Sequence, residues 1–349
     1  LLDQCVVESE GFHLYRVNLS ASKHWELADH IVKGVCVLPG TCYIEIMLQV
    51  AMQLRGTDTH HQHNEGPWPL AFERVQFLSP FGIHPKENRD LHIQVQEKDP
   101  SRYSIRIVSR EDKNANGSYW DVHAEATIRF AQQSPETGVI NPAELIPSFS
   151  RHLLFSRADD VSRGLEIGDR WNHSFVDGWH KEDMSEFMVK LAVPAPFSHE
   201  GEIYAWHPAL LDVAVNAANH VLGDGDLFLP FSYKNFSVIS KLPDEIFVLF
   251  TTKNSTDELY TFDIRLMDNQ GKVCGHIEEY TVKRVPESAS FDQASANPQL
   301  FALRAVDAPD SVDTSTEKLS LSNESVLFIH NGQPVQTALL ASLNHKLEH

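Results

Sequence analysis

Two stretches of this sequence set a base and an acid on similar frames. The first is His30-Ile-Val-Lys-Gly34-Val-Cys-Val-Leu-Pro39-Gly40, a lone histidine on a loop followed by an apolar run that opens onto a helix. The second is His207-Pro-Ala-Leu-Leu-Asp212-Val-Ala-Val-Asn216, a carboxylate one turn into an apolar helix that begins with a proline. Apolar walls at Ile31, Val32, Val35 and Val37 lower the local dielectric and hold the imidazole neutral, as a base must be. Gly34 permits close backbone approach of a ligand. Pro39 and Gly40 start a helix whose free N–H groups and dipole could polarise a carbonyl oxygen. Desolvation at Asp212 raises its pKa, which suits a general acid. Asn216, four residues on, lies on the same helix face and can orient that acid. A neutral base and a protonated acid together suit loss of an α-proton and a β-hydroxyl from an acyl group. The structural alternatives are a hydrogen-bonded histidine and a carboxylate that ties down a neighbouring loop.

The elements that must position these residues follow from hydrophobic period. Phe12 to about Asn18 alternates and reads as a strand. After Pro39-Gly40 the period changes, and Tyr43, Ile46, Met47, Val50, Ala51 and Leu54 mark one helical face that ends at Gly56. Thr57 to Pro69 reads as a polar loop, and its His60, His61 and His63 read as solvated surface, so no metal site is expected. Strands are predicted at Leu70–Phe77, Arg89–Glu97, Ser101–Ser109 and Tyr119–Phe130. One helix and several antiparallel strands make an α+β unit over residues 1–131.

Residues 132–150, with three prolines and little periodicity, read as a linker. The layout then recurs over 151–285. Glu186–Val193 is strand-like, His207-Pro208 opens a helix with Leu211, Ala214, Val215, Ala218 and Leu222 on one face, and four more strands follow. These are predicted near Asn235–Ser240, Ile246–Lys253, Leu259–Met267 and Gly275–Lys283, with a hairpin turn at Asp268–Gly271. The recurrence suggests a duplicated fold within one chain. Residues 286–349 read as a flexible tail or linker with a short apolar island at Val326–Ile329, and Lys346-Leu-Glu-His349 looks like a tag remnant.

Composition narrows the function classes. A chain of 349 residues with 42% apolar and 22% charged residues is that of an ordinary globular protein. A formal charge of -19 with no basic stripe disfavours nucleic acid. No apolar run is long enough for a membrane span, and no secretory signal is visible at the start. Cys5, Cys36, Cys42 and Cys274 fit neither a disulfide framework nor CxxC pairs, so reduced cysteines in a cytoplasmic protein are expected.

His30-x3-Gly34-x4-Pro39 and His207-Pro-Ala-Leu-Leu-Asp212 resemble the two active-site motifs of dehydratase domains from modular polyketide synthases. Leu229-Pro-Phe-Ser-Tyr233 and Gly164-Leu-Glu-Ile-Gly168-Asp-Arg-Trp171 resemble further segments of that family, and the similarity spans roughly residues 10 to 285. The resemblance implies a double hotdog, in which each half wraps a curved antiparallel sheet around a long helix and one active site forms between the halves. It implies His30 as base and Asp212 as acid, with Gly34, Pro39, Gly40, His207 and Asn216 binding or orienting. It implies no bound cofactor, a substrate carried on the phosphopantetheine arm of an acyl carrier protein, neighbouring synthase domains, and a homodimer. The expected reaction is dehydration of a 3-hydroxyacyl thioester to the enoyl thioester. The same base and acid would also serve oxygen-ring closure or a double-bond shift, and a non-catalytic assembly domain is the remaining alternative. The sequence departs from the family in two places. Asn216 stands where Gln or His is common, and the segment around Ile167 lacks a frequent tyrosine and carries Asp169 in place of a proline.

Overall fold

The computed structural model describes residues 1–56, 68–110, 120–131, 138–153, 155, 164–221 and 228–284. Nine strands belong to the first half: β1 (Gln4–Ser9), β2 (Phe12–Ser20), β3 (His30–Val32), β4 (Val35–Val37), β5 (Leu70–Phe77), β6 (Gly82–Ile83), β7 (Asn88–Asp99), β8 (Arg102–Arg110) and β9 (Trp120–Phe130). Eight follow in the second: β10 (Arg151–His152), β11 (Leu165–Ile167), β12 (Phe175–His180), β13 (Glu186–Ala192), β14 (Phe228–Val238), β15 (Glu245–Ser255), β16 (Leu259–Met267) and β17 (Val273–Arg284). Thirteen of them form one antiparallel sheet, in the order β1-β2-β7-β8-β9-β5-β14-β17-β16-β15-β13-β12-β10. The two halves meet edge to edge where β5 pairs with β14, from Leu70 opposite Val238 to Gln76 opposite Ser232. This is the expected double hotdog.

Each half surrounds one long helix, Gly40–Leu54 in the first and Pro208–Val221 in the second. The apolar stripe read from the sequence is only part of what the first helix buries. Thr41 through Leu48 are buried without interruption, as are Val50, Ala51 and Met52. The sheet covers one side of it and the second helix touches another, so burial extends around the axis. One hydrogen bond ties the helices at their starts, from the Thr41 hydroxyl to the Pro208 carbonyl at 3.0 Å.

A smaller sheet, β11-β3-β4-β6, gives the halves a second junction. Here β11 of the second half pairs with β3 of the first, placing Ile167 opposite His30. His30 therefore opens a short strand rather than lying on a loop. Three-residue strands flanked by charge and glycine leave too little period to be read as strands. The β3–β4 hairpin turns through Lys33 and Gly34, with φ of 48° and 82°, a two-residue turn that favours glycine at its second position.

Most long strands lie within two residues of their predicted bounds, and β16 coincides with its prediction. β14 begins at Phe228, well before the predicted Asn235, because Pro230 and polar Ser232 interrupt the alternation that marks a strand. The predicted linker is ordered where it is described. It contains a helical turn at Pro142–Leu145, and Ile140, Leu145, Ile146 and Phe149 pack on a buried cluster around Trp179, Met188 and Phe247. The turn at Asp268–Gly271 is present, with Gly271 at φ 79° and its carbonyl accepting from the Ile140 amide at 2.9 Å. His60, His61, His63, Leu222 and the tail from residue 285 lie outside the described residues.

Candidate active site

A cavity of about 190 Å³ opens between the halves. Its lining brings together His30, Gly40, Asp212 and Asn216, with Val32, Val37, Tyr43, Phe77, Leu229 and Pro230 among its walls. His30 is held by its own hairpin. Its Nδ1 lies 2.7 Å from the Val37 carbonyl, and since a carbonyl can only accept, Nδ1 carries the proton. Nε2 then keeps its lone pair, which is the tautomer a base needs.

Asp212 sits in the first turns of the second central helix and is buried. Its two oxygens accept from different elements. Oδ1 takes the Asn216 side-chain amide at 3.0 Å and Oδ2 takes the Trp171 indole N–H at 3.0 Å. Burial pushes this carboxyl above the usual range. His30, Trp171, Asn216 and Thr41 each pull it back without overcoming the burial. His30 and Asp212 thus face one cavity from different halves, and burial biases the carboxyl toward its protonated form.

Other predicted site residues act at a remove. Gly34, where ligand approach was expected, is not among the residues that line the cavity, and it takes the second position of the hairpin turn. Pro39 does not line it either; with φ of -56° it sets the start of the first helix. Gly40 does line it, and a Cβ there would lie 3.2 Å from the Phe77 ring, so the glycine lets ring and helix start close together. His207, expected to bind or orient, is not among the residues that line the cavity. Its Nδ1 accepts from the Leu210 amide at 3.3 Å, capping the helix that carries Asp212. Its Nε2–H donates to Glu200 at 2.9 Å. Burial holds this imidazole below its usual pKa despite Glu200, which matches a neutral cap.

Several residues that build the site were not singled out from sequence. Arg170 bonds Glu200 through Nε and Nη2, the latter at 2.7 Å, and reaches Asp29 through Nη1 at 3.0 Å. Asp29 precedes His30 and Glu200 holds His207, so one guanidinium links the strand of His30 to the helix of Asp212. Burial alone would raise Glu200, but its bonds to Arg170 and His207 hold it below the usual carboxylate range. The guanidinium also lies over Trp25, 4.3 Å from the ring centroid, and over Phe197 at 4.1 Å. Gly168 is needed beside it, because a Cβ there would lie 2.6 Å from Asp29. The signal for this cluster was an arginine and a tryptophan adjacent in Gly164–Trp171, whose partners come from distant segments.

Residues 1–110 match the family described as "Polyketide synthase dehydratase domain", and residues 142–292 match "Polyketide synthase dehydratase N-terminal domain". The chain belongs to the polyketide synthase dehydratase domains. That family comprises hydro-lyases acting on 3-hydroxyacyl thioesters. Among its relatives is "Polyketide synthase PksL" of Bacillus subtilis (strain 168), 23% identical over 310 residues, covering 84% of this chain and 6% of that protein. The dehydratase thus spans only a small part of such relatives. The dehydratase from the CurF module of curacin polyketide synthase superposes with a TM-score of 0.70 at 20% identity, over 81% of this chain and 98% of that one. The CurK dehydratase of the same synthase gives 0.68 at 20% identity, over 82% and 97%. A trans-AT polyketide synthase dehydratase from Brevibacillus brevis gives 0.67 at 19% identity, over 82% and 98%.

One buried carboxylate of this dehydratase makes stability depend on pH. Glu45, in the first helix, accepts the backbone amides of Ala205 at 3.1 Å and Trp206 at 2.9 Å, fixing the approach to His207. Burial pushes it up to about 7 from an ordinary 4.5, although those amides and Gln49 oppose the shift. A raised folded-state pKa stabilises the fold fully below 4.5, and that stabilisation is lost as pH rises through about 7. Urea unfolding of the wild type should show its midpoint fall between pH 5 and 8. The fall should be smaller in Glu45→Gln, and equal slopes would show that Glu45 does not titrate in this range.

Proposed function

We propose that this domain dehydrates a 3-hydroxyacyl group held as a thioester on the phosphopantetheine arm of an acyl carrier protein. The observation that carries this reading is the placement of His30 and the buried Asp212 on one cavity, with His30 Nδ1 bonded to the Val37 carbonyl. Nε2 of His30 takes the α-proton, and the enolate oxygen that develops lies at the start of the first helix, marked by Gly40. Asp212 gives its proton to the β-hydroxyl, which leaves as water. The carboxylate then formed faces the imidazolium, and return of the proton restores both groups. No cofactor is needed, because each step is a proton transfer or a carbon–oxygen cleavage. Histidine-to-phenylalanine and aspartate-to-asparagine forms of the CurK dehydratase are each described as inactive, which agrees with a reaction that needs both residue types.

The domain works, in this reading, within a cytoplasmic synthase beside other catalytic domains. Its relatives are much longer polyketide synthases. A homodimer fits the exposed end of the large sheet. β1 is its last strand, and all six of its residues are exposed, including Val6 at 44% and Val7 at 43%. A free apolar edge of this kind is covered in a stable assembly. Light scattering at micromolar concentration should report a dimer, and charge introduced by Val7→Lys should shift it toward monomer. A monomeric wild type would remove this part of the reading.

With a 3-hydroxyacyl thioester as substrate, the product should lose one water by mass and gain an enoyl absorbance. His30→Ala should slow turnover by a factor on the order of 10² or more with folding intact. Asp212→Asn keeps the shape, cannot donate the proton, and should stall elimination to a similar degree. Near-normal turnover in either folded variant would refute that residue's role.

A second reading rests on Asn216, which lines the cavity with a shorter side chain than glutamine. Room left there suits a folded substrate whose distal hydroxyl adds to the enoyl carbon, closing an oxygen ring. Asn216→Gln should then spare dehydration of simple substrates and suppress ring closure. Asn216→Ala should cost about 1–3 kcal/mol of transition-state stabilisation through loss of the bond to Asp212. Equal rates for all three side chains on substrates with and without a distal hydroxyl would exclude both roles.

A further inference from the structure

The Asp212 carboxyl is gripped at both oxygens, by Asn216 of its own helix and by Trp171 of another segment, with the Thr41 hydroxyl as a further partner. We propose that Trp171 is a positioning residue for the acid: its indole N–H, paired with the Asn216 amide, locks the carboxyl plane of Asp212 toward the substrate. The inference rests on the reading of Asp212 as the general acid and adds a residue to that site.

The geometry argues for a two-point clamp. Trp171 Nε1 lies 3.0 Å from Oδ2 and Asn216 Nδ2 lies 3.0 Å from Oδ1. With one donor, the carboxyl could pivot about its own carbon–carbon bond and keep that contact. With a donor on each oxygen, any pivot breaks a bond, so one plane is retained. Each carboxyl oxygen has a second lone pair, and the transferable proton occupies one of these.

Trp171 is itself held. It is 3% exposed, and its amide bonds the Gly168 carbonyl at 3.1 Å. Its ring meets the edge of Trp25, with centroids 5.4 Å apart and planes at 70°. The same ring lies 5.7 Å from the His30 imidazole. One side chain therefore touches both the base and the acid, and the adjacent Arg170 ties the same segment to Asp29 and Glu200. The N–H also acts on proton affinity. Burial drives Asp212 toward its neutral form and the indole opposes it, keeping the proton transferable.

Trp171→Phe removes the N–H and keeps a ring against His30. Its kcat should fall about tenfold to hundredfold, with KM changed by less than about threefold, as for loss of a bond to a charged group. The alkaline limb of kcat, where the acid loses its proton, should move up by about one pH unit, because a donor to the carboxylate is gone. An unmoved limb overturns the proposal even where the rate falls, since a structural defect lowers the rate without shifting the limb. Wild-type kcat overturns it too. Should Trp171→Phe fail to fold, the wild type tests the proposal after uniform labelling of tryptophan with nitrogen-15. One indole N–H resonance should titrate with the alkaline limb and cease to do so in Asp212→Asn; no such resonance overturns it. Full activity of Asp212→Asn would instead sink the acid assignment beneath it. An inactive Asp212→Asn with an unmoved limb in Trp171→Phe refutes the clamp alone.

Discussion

The Arg170 guanidinium is the contact on which the rest of this site depends. Three anionic or polar groups converge on it from segments far apart in the chain: Asp29 before the base, Glu200 behind the acid helix, and through Glu200 the capping imidazole of His207. Glu200 and His207 are 5% and 4% exposed, so their charges and dipoles interact with little water between them. A buried ion pair is costly to desolvate, and its worth is in fixing one arrangement where an apolar contact would tolerate several. Here the arrangement fixed is that of the His30 strand and the Asp212 helix, which different halves carry. Arg suits this position better than Lys, because a planar fork can hold one carboxylate through two nitrogens and still offer a third to another.

Around that clamp the site separates two tasks that would conflict in one residue. In the proposed dehydration the base must be neutral, and the carbonyl acceptor at His30 Nδ1 selects the tautomer without adding a charge. The proposed acid must hold a proton, and burial biases Asp212 that way. If burial acted alone, the carboxyl would hold its proton too firmly to be an efficient donor. The Trp171 and Asn216 donors work against burial, so the position of the acid's pKa is a balance of opposing effects. Val32, Val37, Leu229 and Pro230 give the cavity apolar walls beside both groups.

Much of this was legible in the sequence where the signal is periodic or local. The long strands and both central helices follow from spacing, and His30, Asp212 and Asn216 stand out because polar residues interrupt apolar frames. Gly40 was legible as a helix start that a ligand could approach. Gly34 was noticed for its backbone freedom, which the hairpin turn uses here. His207 was similarly visible, and what the sequence did not reveal is that its ring caps the helix of Asp212. Arg170, Trp171 and Glu200 were not legible as a group. Their partners lie 30 to 141 residues away, and no local period records a contact that only the folded chain makes.

The duplicated layout explains why the two catalytic groups differ in kind. Each half supplies a central helix that starts at the seam between the halves, tied together by the Thr41–Pro208 bond. Two acids at such a seam would repel, and two bases would lack a proton donor. In the first half the functional group stands before the helix, on a hairpin, leaving the helix start at Gly40 free to face the substrate. In the second half the helix start is filled by its own cap, His207, and the functional group stands one turn inside. The first helix can therefore present its amino end to a developing oxyanion, while the second can bury a carboxyl beside it. Identical use of both halves would lose one of these functions, so divergence at the two helix starts is what turns a repeated fold into a single asymmetric site.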